Sequence, residues 1–94
     1  MAQPTLKQLD AFIQVADLGS FRRAAERLNT TQPNISARIA GLEELLGQSL
    51  MDRDAGSVRL TTAGERLLPH ARDVLRATDR LVAAAGDPAL IDGT

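Results

Sequence analysis

The chain has 94 residues, enough for one small domain; 44% are hydrophobic, but only two are Phe and none is Trp or Tyr, so any core is aliphatic. It has no cysteine, which excludes disulfides and thiolate metal sites. Eleven Lys and Arg nearly balance twelve Asp and Glu, so a nucleic-acid partner must be argued from local charge and not from the total.

No apolar run approaches the length of a membrane span. The N-terminus has neither a basic region nor a signal-like apolar core. The expectation is a soluble cytoplasmic protein with no membrane partner.

Met1 to Pro4 is a short lead. Thr5 suits the cap of a first helix running to about Leu18, with Leu6, Leu9, Phe12, Ile13 and Ala16 as its apolar stripe and Lys7, Asp10, Gln14 and Asp17 on the polar side. Gly19 ends it.

The stretch Ser20 to Gly47 reads as two helices joined by a tight turn. Ser20 caps the first. Phe21, Ala24, Ala25 and Leu28 share one face, and Arg22, Arg23 and Arg27 share the other. Asn29-Thr30-Thr31 breaks the pattern, and Asn tolerates the left-handed backbone that ends helices. Thr31 caps the second helix, and Pro33 falls in its first turn, where a missing N–H costs nothing. Ile35, Ile39, Leu42 and Leu46 form its apolar stripe, and Gly47 stops it at about residue 46.

This is a helix-turn-helix layout. Small Ala24 and Ala25 allow a close, steep crossing. The outward face then opens with Thr31, Gln32, Pro33, Asn34, Ser36 and Ala37, near the positive end of the helix dipole. Amides and hydroxyls there suit base edges and phosphate oxygens. From Ser20 to Arg38 the chain carries four Arg and one Glu. The alternative on pattern alone is a plain αα-hairpin.

After Gly47 the period changes. Leu50 to Arg53 and Ser57 to Thr61 flank Asp54-Ala55-Gly56, and Val58 and Leu60 alternate with Arg59. These segments read as a short β-hairpin, a wing that places Arg53 and Arg59 to touch a sugar-phosphate backbone.

Thr62-Ala63-Gly64-Glu65 has the form of a capping box and marks a long helix to about Gly86. Leu67, Ala71, Val74, Leu75, Thr78, Leu81, Val82 and Ala85 line one side. Pro69 should bend the helix or cost it a hydrogen bond. The stripe is longer than a three-helix core can cover, so it predicts a homodimer seam. The alternative is that this helix folds back on its own domain. Residues 87–94 read as a disordered tail.

These segments divide the chain into a winged helix-turn-helix at 1–61, a linker or dimerisation helix at 62–86 and the tail. The fold class is mainly α, with three helices, a two-stranded wing and the long C-terminal helix.

The ordered motifs resemble those of the N-terminal DNA-binding domain of LysR-type transcriptional regulators. The matching residues are Leu6-Lys7-Gln8-Leu9 with Phe12, Gly19-Ser20-Phe21 with Ala24-Ala25 and Leu28, and Thr31-Gln32-Pro33 with Ser36 and Ile39. Leu42-Glu43, Leu46-Gly47, Arg59-Leu60-Thr61, Ala63-Gly64 and Leu68-Pro69 complete the set. The resemblance spans about Leu6 to Ala85.

It implies sequence-specific binding of double-stranded promoter DNA by a homodimer, with the helix at 31–46 in the major groove and the long helix joining the copies. Gln32 and Pro33 are implied as base-edge or thymine-methyl contacts, with Asn34 as a further reader. Thr31, Ser36 and Arg23 are implied as phosphate contacts, and Arg53 and Arg59 as wing contacts. Ala37 and Arg38 lie on the same DNA-facing segment.

Members of the family often carry Arg or Lys where this chain has Ala37, Ala40 and Gly41. The outward face is therefore small and lacks a guanine-reading Arg, which predicts modest non-specific affinity and a shallow salt slope. Family members also continue into an effector-binding domain that this sequence does not contain, whether through excision or natural truncation. A small-molecule effector is expected only through that domain.

Two other functions compete. The near-neutral charge and uncharged groove face suit a winged-helix protein-interaction module without DNA binding. An enzyme is poorly supported: His70 is the only His, Glu43 and Glu44 are adjacent and do not face each other, and there is no phosphate-cradling Gly loop or metal-ligand spacing. No cofactor is expected.

Overall fold

The computed structural model describes residues 2–54 and 57–86; Met1, the wing tip at 55–56 and the expected tail at 87–94 lie outside the described residues. The elements are helix α1 (Leu6–Leu18), α2 (Phe21–Arg27), α3 (Gln32–Leu46), strand β1 (Met51–Asp54), β2 (Ser57–Leu60) and helix α4 (Thr62–Gly86).

Each of the first three helices starts on the hydroxyl read from the sequence. Thr5 Oγ1 accepts the Gln8 N–H at 3.1 Å, and the Gln8 side chain accepts the Thr5 N–H at 3.0 Å, so this cap is a reciprocal box. Ser20 Oγ accepts the Arg23 N–H at 3.1 Å, and Thr31 Oγ1 accepts the Asn34 N–H at 3.2 Å. Asn29, at φ 55°, carries the left-handed turn between α2 and α3.

Phe12, Val15, Ile35, Leu42 and Leu50 form the fully buried centre. Ala24 and Ala25 are buried where α2 crosses α3, so backbones approach there without side-chain bulk between them. The ends of two expected stripes project past this core: Leu6 is 46% and Leu46 is 37% exposed.

The wing is antiparallel, with Met51 opposite Leu60, Asp52 opposite Arg59, Arg53 opposite Val58 and Asp54 opposite Ser57. Residues paired across a ladder share a face, and neighbours along a strand alternate. Met51 is buried and Leu60 and Val58 are half-buried, so Arg53 belongs to the body-facing side and Arg59 to the opposite side with Asp52.

Helix α4 corrects one sequence reading. Its cap is Thr61, not Thr62: Thr61 Oγ1 accepts the Gly64 N–H at 3.0 Å and donates to the Ser49 carbonyl at 2.5 Å. The Thr61 N–H also donates to the Leu50 carbonyl at 3.0 Å. Tying the chain to residues 49–50 fixes the cap one residue early and leaves Glu65 past the position a capping box needs. The helix then runs without interruption through Pro69, at the cost of a backbone donor to the Glu65 carbonyl.

The N-terminal half of α4 packs on α1 through Leu67, Leu68, Ala71 and Leu75. Arg72 clasps the Asp17 carboxylate of α1 with both terminal nitrogens, one at 3.1 Å from Oδ2. The hydrogen bonds from Arg72 hold the Asp17 carboxyl below its ordinary pKa, against the opposing effect of partial burial. Farther along, Leu81 and Val82 are 70% and 66% exposed. The long helix therefore projects past the packed body.

Candidate nucleic-acid interface

The amphipathic pattern of α3 decides what faces outward. Ile35, Ile39 and Leu42 are buried, so the intervening positions near the N-terminus turn to solvent. Thr31, Gln32, Pro33, Asn34 and Ala37 are all exposed, and Ser36 and Arg38 are half-buried beside them. No part of the expected reading edge is walled off inside the fold.

Two of these side chains are already oriented. Asn34 Nδ2 donates to Thr30 Oγ1 at 3.0 Å, which pins the amide toward the turn and leaves its oxygen outward-capable. Arg53 Nη2 donates to Ser36 Oγ at 2.7 Å, and the same guanidinium lies 3.5 Å over the Phe21 ring. Two expected phosphate contacts, one from α3 and one from the wing, are thus joined to each other.

Arg23 stands exposed on α2, while its neighbour Arg22 is drawn into an exposed ion pair with Glu26 at 3.2 Å. Arg59 is exposed on the outer face of the wing. The two wing arginines are therefore not equivalent: Arg59 points away from the body, and Arg53 reaches across it.

Gly41 departs from its sequence reading, and Glu43 makes contacts that the sequence did not show. Gly41 is not on the outward face; a Cβ there would stand 3.0 Å from Gln8 Nε2 of α1, so its smallness serves helix packing. Glu43 is not a merely solvated carboxylate. Its Oε2 accepts the Leu50 N–H at 2.7 Å and the Ser49 hydroxyl at 3.5 Å, holding the loop between α3 and the wing.

The expected dimer residues divide. Ala71 is buried in the chain's own core, Leu67 and Leu75 are half-buried against it, and the Thr78 hydroxyl donates to the Val74 carbonyl at 3.0 Å. Val74, Leu81 and Val82 remain exposed.

This geometry has known counterparts. The sequence profile of the bacterial regulatory helix-turn-helix proteins of the LysR family matches residues 6–65. This chain belongs to the LysR family.

A transcriptional regulator of Azotobacter vinelandii, encoded in the ibpB-leuC intergenic region, is 54% identical over 70 residues, covering 74% of this chain and 49% of that protein. The oxidized form of Corynebacterium glutamicum OxyR superposes with a TM-score of 0.89 at 37% identity, covering 92% of this chain and 26% of that one. The DNA-binding domain of BenM in complex with catB site 1 DNA superposes at 0.82 with 33% identity, covering 86% of this chain and 91% of that one.

The LysR-type chain described here spans 49% and 44% of the length of two curated relatives and 22% to 27% of others, such as CfxR of Cupriavidus necator. Its four helices and two-stranded hairpin are the winged-helix architecture of LysR-type DNA-binding domains. No helix among the described residues is long and apolar enough to cross a membrane.

The sequence reading missed the Arg53–Phe21 contact and the Glu43 clamp. Neither has a periodic signature. The wing register alone separates Arg53 from Arg59, and strands of four residues carry too little alternation to fix it.

Proposed function

We propose that this chain binds double-stranded promoter DNA sequence-specifically as a homodimer and so serves transcription regulation. The observation that carries the reading is the exposed edge Thr31 to Asn34 at the start of a helix whose other face is locked in the core. In this reading α3 enters the major groove. Gln32 and Asn34 offer amides to base edges, and Pro33 and Ala37 offer apolar contact to thymine methyls.

Phosphate contacts come from Thr31, Ser36 and Arg23, with Arg38 and Arg59 supplying further positive charge along the flank and Arg53 joined to Ser36. The complex of the BenM domain with DNA, at a TM-score of 0.82, supports this placement. Val74, Leu81 and Val82 form the dimer seam, with Leu67, Leu75 and Thr78 along its edge and Ala71 behind it. The chain supplies binding and no catalysis, and it works in the cytoplasm.

Selection from a random duplex pool tests the proposal. The expected product is a motif with two related half-sites, one for each α3 of the dimer. Recovery of unenriched sequence at low ionic strength would reject it in favour of a protein-interaction module.

A further inference from the structure

We propose that Arg53 is a positioning residue for the recognition helix: seated on the Phe21 ring, it turns the Ser36 hydroxyl outward as a donor to one backbone phosphate. The inference rests on the DNA-binding reading above and assigns a division of labour within it.

The argument starts from hydrogen-bond inventory. A guanidinium has donors and no acceptor, so the 2.7 Å contact must use a lone pair of Ser36 Oγ. That leaves the Ser36 hydrogen directed away from Arg53. Accepting from a cation also polarises the hydroxyl and makes it a stronger donor.

The position suits that use. Ser36 lies one helical turn beyond exposed Gln32 and Pro33. Ser36, Phe21 and Arg53 all line one hollow of about 420 Å³, so the three side chains meet at a surface recess open to a ligand.

Phe21 explains why an arginine holds the place. The ring face attracts the flat cation at 3.5 Å and fixes its plane. A lysine keeps the charge but has neither the fork nor the flat face. The contact also spans three elements, since Phe21 begins α2, Ser36 is on α3 and Arg53 is on β1. It therefore fixes the wing against the recognition helix before DNA arrives.

Two measurements test the proposal. In the free protein, ring current from Phe21 should shift the Arg53 side-chain protons upfield, and Phe21→Leu should abolish the shift. Its absence from the wild type would overturn the seat. For the second, a duplex recovered by selection is substituted with a neutral methylphosphonate at each phosphate in turn. Wild type should lose about tenfold in affinity at the phosphate that meets Ser36, one of several sensitive positions in each half-site.

Ser36→Ala, Arg53→Ala and Arg53→Lys should each erase that sensitivity. Adding Arg53→Ala to Ser36→Ala should change affinity less than about twofold, the mark of two residues acting as one. Independent, additive losses, or retained sensitivity in Arg53→Lys, would contradict the proposal. Failure of the wild type to bind any duplex would instead reject the DNA-binding reading itself.

Discussion

The Glu43 carboxylate of α3 accepts the Leu50 backbone N–H at 2.7 Å, linking the recognition helix to the chain just before the wing. Leu50 is fully buried, so its backbone N–H has little water to turn to. A charged acceptor at this distance is stronger than a neutral one. Leu50 in turn offers its carbonyl to Thr61, so one residue ties α3, the wing and the start of α4 together.

Replacing Glu43 by Ala should therefore destabilise the domain by about 1–3 kcal/mol, read as a lower urea midpoint. Glu43→Gln, which keeps an acceptor oxygen, should cost less. Equal stability of Glu43→Ala and wild type would show that the clamp contributes nothing.

Two glycines should respond differently to Ala. At Gly64 a Cβ would lie 2.1 Å from the Leu50 carbonyl oxygen, backbone that is pinned by Thr61. Gly64→Ala should cost about 1–3 kcal/mol through forced displacement, with a matching fall in melting temperature. At Gly41 the obstacle is Gln8 Nε2 at 3.0 Å, a side-chain amide that can shift by a few tenths of an ångström while its oxygen keeps the Thr5 N–H. The helix-propensity gain of about 1 kcal/mol should offset its movement and leave Gly41→Ala near wild type.

The α1–α4 ion pair predicts a pH effect of known sign. Arg72 lowers the Asp17 pKa below the ordinary value of 3.8, so the contribution is complete above that value and is lost as pH falls through the folded-state pKa. Both side chains are partly exposed, so the contribution is about 1 kcal/mol or less. Asp17→Asn should lower the urea midpoint at pH 7 and converge on wild type as acid protonates the folded-state carboxylate. An undiminished difference in acid would contradict this assignment.

Among the described residues nothing covers the far half of α4. With Leu81 and Val82 at 70% and 66% exposure, a double change to Glu should remove little packing within the chain and leave its helix content unchanged. Sedimentation equilibrium should find the wild type dimeric and the variant monomeric. A dimer that survives both changes would place the seam elsewhere.

The sequence made the helices legible because each carries its own punctuation. Thr5, Ser20 and Thr31 cap, Gly19 and Gly47 stop, and the stripes between them repeat at helical spacing. The exposed edge of α3 was legible for the same reason: once Ile35, Ile39 and Leu42 are buried, geometry assigns the rest.

What could not be read depends on contacts between distant segments. Thr62 satisfies a capping pattern as well as Thr61 does, and only the bonds to Ser49 and Leu50 decide between them. Gly41 reads as an outward gap until α1 lies against it. Arg53 and Arg59 are alike in composition, and the strand pairing alone sends one across the body and the other away from it.

The most direct test of the central claim is the affinity ratio between a selected duplex and a scrambled one, measured for wild type and for Gln32→Ala with Asn34→Ala. If α3 reads bases, the wild type should prefer the selected duplex, and the variant should lose about 1–3 kcal/mol of that preference at each affected base pair while keeping its affinity for scrambled DNA. Equal losses on both duplexes, or no preference in the wild type, would contradict it.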